Sequence, residues 1–169
     1  MEIAALGIDL ARAVFQLHGV DADGAVGLQK TLRRGAVLGF LGKLEPCLFG
    51  IEACPTSHFR AREIAALGHG VRLIPPAYVK PYVKRQKNDA ADAEAICEAV
   101  TRPNMRFVPA KTEEQQSVPV LHRSRDLLMR QRTMILNAIR AQLAEFGIVA
   151  ARGAARIFAL VRPCVSRMI

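Results

Sequence analysis

The sequence predicts an α/β domain, a mixed sheet with flanking helices, followed by a long C-terminal helix. Three observations carry this. Three apolar runs open the chain as a meander. Helix and strand patterns alternate after them, an order that lays helices on the faces of a mixed sheet. Beyond a break at 102–112 (RPNMRFVPAKT) the apolar residues take up helical spacing and keep it.

The elements follow in order. EIAALGIDL, 2–10, is an apolar run ending in an acid, and AVFQLHGV, 13–20, is a second strand. DADG, 21–24, signals a turn, and AVGLQKT, 25–31, is the returning strand. Val37, Leu38, Leu41 and Leu44 predict a helix from Gly35 that Pro46 stops. CLFGIE, 47–52, is a short buried strand closed by Glu52. A helix over Thr56–Leu67 ends at Gly68, a good C-cap residue. VRLIPP, 71–76, is another strand with a Pro stop. The basic, Tyr-bearing stretch AYVKPYVKRQKN, 77–88, leads into a helix over Asp89–Val100.

In the C-terminal part, Leu121, Leu128, Ile135, Ile139, Leu143 and Phe146 share one face of a long amphipathic helix predicted from Val120 to Phe146, just after Pro119. Arg125 and Arg132 interrupt that face, so it is not a clean coiled-coil seam. Such a helix reads either as one packed on its own domain or, being well beyond the usual ~10–14 residues, as a dimer contact or a bridge between domains. Gly147 and Gly153 close it, and 154–169 shows no clear architecture. The expected organisation is a sheet domain over 1–110, a long basic helical region over 111–150, and an unassigned, truncated tail over 151–169.

Composition narrows the function. Hydrophobic residues make up 51% of the 169, enough for a folded core, and the net charge is +9. Ten Lys/Arg against four Asp/Glu lie from Lys111 onward, so most of the excess is C-terminal. Such a balance suits a polyanionic partner, nucleic acid before membrane. No apolar run reaches the ~18 residues of a membrane span. The opening residues lack a basic n-region and carry Asp9, so a cytoplasmic protein is expected. Cys47, Cys54, Cys97 and Cys164 have no zinc-type spacing and read as buried thiols.

The acids are the candidate chemistry. Asp9 and Glu52 each close an apolar strand, where ligands bind in α/β sheets. Asp89 and Asp92, three residues apart in KNDAADAEAI, share one helix face. Carboxylates brought together repel, and a hard cation such as Mg²⁺ or Mn²⁺ relieves them. Two such ions can activate an attacking oxygen and stabilise a leaving one in phosphodiester cleavage. Taken alone, Asp89 also reads as an N-cap and Asp92 as a first-turn charge. GIDL likewise suits the first strand of an actin-like ATPase, although no second, Gly-rich phosphate loop accompanies it.

GIDLARAVFQL, the run from GIEACPTSHFRAREIAALGHGVRLIPPAYVKPYVKRQKN to DAADAEAI, and the Arg-rich LHRSRDLLMRQRTMILNAIRAQLAEFGI together resemble the insertion-sequence "one-ten" transposase family, which includes the Piv and MooV recombinases. The resemblance spans Leu6 to Ile148. It implies a RuvC-like, ribonuclease-H-like fold with a D-E-D-D acid set, falling here on Asp9, Glu52, Asp89 and Asp92 as catalytic and metal residues. It also implies metal-dependent DNA strand cleavage and exchange, a structured RNA encoded by the element, and helical assembly into a homo-oligomer. His58 stands where the family has a His after its second acid, and reads either as a DNA contact or as a helix-surface residue. Family members continue into a serine-bearing second domain that nothing here resembles, so this chain alone is expected to be incomplete.

Lys80, Lys84, Arg85 and Lys87, with Tyr78 and Tyr82 among them, precede the Asp pair and are candidate phosphate and base contacts. Arg123, Arg130, Arg132 and Arg140 are candidates along the long helix. Two rival readings remain: a RuvC-like junction nuclease, and a truncated, non-catalytic nucleic-acid-binding fragment that inhibits full-length transposase.

Overall fold

The computed structural model describes residues 2–84 and 89–166, so the predicted contacts Arg85 and Lys87 lie outside the described residues. The chain divides into two compact units, Met1–Glu114 and Gln115–Ile169.

The first unit is built on β1 (Ala5–Leu10), β2 (Val14–Val20), β3 (Val26–Arg33), β4 (Leu48–Glu52) and β5 (Gly70–Ile74), in the spatial order β3-β2-β1-β4-β5. β1, β2 and β3 pair antiparallel as a meander, with the β2–β3 turn held by the Asp21 carboxylate accepting the amides of Asp23 and Ala25. β1–β4 and β4–β5 pair parallel. The expected mixed sheet is present.

Period-2 alternation assigns the two faces. Leu6 and Ile8 of β1, Phe49 and Ile51 of β4, and Leu73 of β5 point to one side. There they meet Val37 and Leu41 of α1 (Val37–Leu41) and Ala61 and Ile64 of α2 (Ser57–Ala66). Ala5 and Ile74 point to the other side, toward Ala95, Ile96, Cys97, Ala99 and Val100 of the helix over Asp89–Thr101. Between β5 and that helix, α3 (Pro76–Val79) and a 3-10 turn (Lys80–Tyr82) form a short strap, and the Asp89–Thr101 helix is therefore α4. Val79 of the strap is buried in the second core cluster.

α4 lies very close to the sheet because two glycines face it. A Cβ on Gly7 would collide with the carbonyl oxygen of Ala93 and the amide of Cys97, and one on Gly50 would come within 2.8 Å of the Val100 Cβ. Gly7 and Gly50 are paired across β1 and β4, so they form a single flat seat. α4 runs against the strand direction, and its Cys97 thiol reaches the Ala5 carbonyl at 3.7 Å near the start of β1.

Three boundaries differ from expectation. The first helix is shorter than Gly35–Pro46: a 3-10 turn over Arg34–Ala36 precedes Val37–Leu41, after which tight turns carry Lys43 and Leu44. Gly39 and Gly42, poor helix formers, explain the early end. The long helix α5 starts at Glu113 and runs to Glu145, with Pro119 inside it. Glu113 and Glu114 in its first turn complement the helix dipole and extend it upstream of Pro119, whose missing N–H costs one ladder bond. The tail without an assigned architecture contains a helix, α6 (Ala154–Ser166), entered through Gly153 at φ 114°. Among the described residues, no helix is long and apolar enough to cross a membrane.

Candidate functional site

The two periodicities that build the core also place the acids. In β1, residues 5, 7 and 9 face α4, and in β4 residues 48, 50 and 52 do the same. Asp9 and Glu52 thus stand on the α4 face, one residue beyond the last pair of the β1–β4 ladder, Ile8 with Ile51. Because the strands are parallel, both acids leave the sheet at the same edge. On α4 the sheet-facing stripe includes Ala93, Ile96, Cys97 and Val100. Asp89 and Asp92 lie four residues before Ala93 and Ile96, so they continue that stripe by one turn. Both patterns change from apolar to acidic where strand and helix pass the end of the core.

Asp9, Glu52 and Asp92 line one cleft of about 500 Å³ with Pro76, Val79, Lys80 and Val83 of the strap segment. Asp89 is outside this lining, but its charge is felt there. The Asp9 carboxyl is pushed up from 3.8 to about 6, first by burial, then by the negative charges of Asp92, Asp89 and Glu52, against one stabilising hydrogen bond from the Leu10 amide. The charges of Asp92, Asp89 and Glu52 therefore all act on Asp9. Among the described residues, no three His, Cys, Asp or Glu side chains are close enough to cage an ion, so the acids converge without closing.

The other predicted residues divide. Lys80 is exposed at the acidic cleft. Lys84 is turned to an ion pair with Glu94 of α4, which holds the Glu94 carboxyl below its ordinary range. Tyr82 lies on a different cleft, with Tyr78. His58 is buried at the start of α2, where its Nδ1 accepts the Lys111 amide at 3.2 Å; Arg62 donates to the Lys111 carbonyl at 2.7 Å. Burial and the charges of Lys111 and Arg62 push its pKa down, and it is not a helix-surface residue. Arg123 and Arg130 are exposed on α5. Of the thiols, Cys47 and Cys97 are buried, with both pKa values raised by burial to about 11, whereas Cys54 is only partly covered.

Sequence reasoning missed Gly7 and Gly50. The signal was there: LGID and FGIE carry the same Gly-Ile-acid triplet, with each glycine two residues before an acid and therefore on the same face.

A β3-β2-β1-β4-β5 sheet whose central parallel strands end in acids, completed by acids from a helix on its face, defines a ribonuclease-H-like α/β domain. The transposase family model of the IS110 DEDD type matches residues 6–148, and the chain belongs to that family. It is 51% identical over 162 residues, 95% of this chain and 48% of the relative, to a protein of Pseudomonas aeruginosa described as a "Probable family 20 transposase". It is 46% identical over 92% of its length to the transposase for insertion sequence element IS1328 of Yersinia enterocolitica, covering 46% of that protein. To the transposase for IS1111A of Coxiella burnetii it is 42% identical over 93% of its length, covering 43%. The chain thus spans less than half the length of these curated relatives.

Proposed function

We propose that this chain is the acidic catalytic half of a transposase that cleaves and exchanges DNA strands during movement of an insertion sequence. The observation that carries the reading is geometric: Asp9 and Glu52 leave two parallel neighbouring strands at the same edge and line one cleft with Asp92 of α4. Asp9, Glu52, Asp89 and Asp92 offer only oxygen donors, which suit Mg²⁺ or Mn²⁺ over softer metals. A cation also offsets the repulsion that four neighbouring acids carry. Bound there, such ions would supply Lewis acidity toward a phosphodiester and its attacking oxygen.

The chain's own groups then have distinct tasks. Asp9 and Glu52 hold position on strands braced by the ladder, and Asp92 and Asp89 approach from α4. Lys80 on the same cleft attracts a phosphate. The C-terminal excess of Arg and Lys favours further nucleic-acid contact, through Arg123 and Arg130 among others, with DNA or with RNA from the element. Exposed apolar residues along α5 favour assembly with a second copy.

Calorimetry with Mg²⁺ and Mn²⁺ tests the site. The wild-type chain should gain thermal stability with added metal, and Asp9→Asn and Asp92→Asn should each reduce the gain. An equal response in all three proteins would remove these acids from the metal site.

A further inference from the structure

The strap between β5 and α4 has two working sides. Val79, Lys80 and Val83 face the acidic cleft. Tyr78, Pro81 and Tyr82 face away from it, into a second cleft of about 320 Å³ completed by Asn104, Met105 and Arg106 of the segment after α4. Tyr82 and Met105 are packed against the core cluster under α4, so this wall is braced from behind. Tyr78 is 42% exposed and lines this cleft. Among the described residues, no acid lines this cleft, and Arg106 is exposed and has no ion-pair partner. Its chemistry is therefore two phenol rings, a proline and a thioether as flat apolar walls, with one amide and one guanidinium.

We infer that this second cleft is a receptor for an unpaired nucleobase of the DNA strand whose phosphate lies at the acidic cleft. The inference rests on the nucleic-acid reading proposed above and adds a site to it. Aromatic faces bind bases through stacking, which every base can provide, and Arg stacks on or hydrogen-bonds a base while staying charged. Asn104 supplies both a donor and an acceptor for a base edge. The strap that separates the two clefts is one short helical segment, ~10 Å across, a span that a short run of nucleotides bridges. A duplex keeps its bases stacked and paired, so the cleft selects a single-stranded or flipped nucleotide next to the reacting phosphate.

The test compares binding of two single-stranded DNA oligonucleotides of equal length, one intact and one with abasic sites throughout its centre. The wild-type chain should bind the intact strand about tenfold more tightly, the scale of one stacked base. Tyr78→Ala, at an exposed position, should abolish that preference while leaving the slope of log K against log salt unchanged, since stacking releases no counterions. Tyr82→Leu, which keeps an apolar side chain against the core cluster under α4, should reduce the preference as well. Equal affinity for both strands in the wild-type chain, or a preference that survives in Tyr78→Ala, would overturn the base receptor and leave the wider nucleic-acid reading in place. Failure to bind either strand at any salt concentration would overturn both.

Discussion

The two units of the chain use apolar residues in opposite ways. In Met1–Glu114, the alternating residues of β1 and β4 and the stripe of α4 are buried on both faces of the sheet. In Gln115–Ile169, an equally regular helical stripe is half-buried at Ile139 and Leu143 and otherwise left in solvent: Leu121 is 69% exposed, Leu128 64%, Ile135 60% and Phe146 81%, and no residue of α5 is fully buried. Ile157 of α6 is the buried contrast within that unit. Periodicity therefore identifies an element and its face, but not what covers the face. In the first unit the chain covers itself, so changes there act on folding and on the acids. In the second, changes along α5 should act on association.

The largest difference should appear at the helix seat. Gly7→Ala drives a methyl group into the backbone of α4 at Ala93 and Cys97, atoms that cannot swing aside as a side chain would. It should cost about 3 kcal/mol or more and abolish the metal response by lifting Asp92 from Asp9. Urea denaturation and calorimetry check both effects. Leu128→Ala, on the exposed stripe, should change the stability of the isolated chain by less than about 0.5 kcal/mol. Similar costs for the two substitutions would erase the contrast between the units.

Next in size is Asp9 itself. Its folded pKa of about 6 exceeds its ordinary 3.8, so the folded state holds a proton that the unfolded state releases. The stabilisation from that proton is complete below about 3.8 and is lost as pH rises through about 6. Asp9→Asn removes this penalty. At pH 7 without divalent metal it should stabilise the chain by roughly 1 kcal/mol, allowing for solvent screening. A thermal melt that shows no gain, or a gain equally large at pH 4, contradicts this.

Association sharpens the contrast from the other side. Leu128→Asp and Ile135→Asp together should weaken a concentration-dependent dimer at least tenfold in sedimentation, with the melting of the sheet unit unmoved. A wild-type chain that stays monomeric at high concentration would leave the exposed stripe to some other role. Smallest is Lys80→Ala, which should lower the salt slope of DNA binding by about 1, the loss of a single phosphate contact.

Much of the sheet unit was legible because both of its signals are local. Short apolar runs bounded by turn and Pro signals marked the five strands, and the acids at the ends of GID and GIE marked where two of them leave the core. The spacing of Asp89 and Asp92 placed them on one helix face. What escaped depends on contacts between distant segments. The seat formed by Gly7 and Gly50 exists only because α4 returns to cross both strands. The burial of His58 depends on Lys111, fifty-three residues later, coming back to α2. The division of the strap between two clefts follows from short helical turns that the KPYVK stretch, with Pro81 in it, did not announce. In α5 the upstream start was hidden by Pro119, which lies past the first turn and there removes one ladder hydrogen bond and crowds the carbonyl four residues earlier.

The central claim is that four acids from two strands and one helix act as one charged site. Titrating the Asp9 carboxyl by carbon-detected NMR in the wild-type chain and in Asp92→Asn tests it most directly. The account predicts a wild-type pKa of about 6, a lower value once Asp92 is neutralised, and a further fall on adding Mg²⁺. An Asp9 carboxyl that titrates at the same pH in both proteins, with and without Mg²⁺, would contradict it.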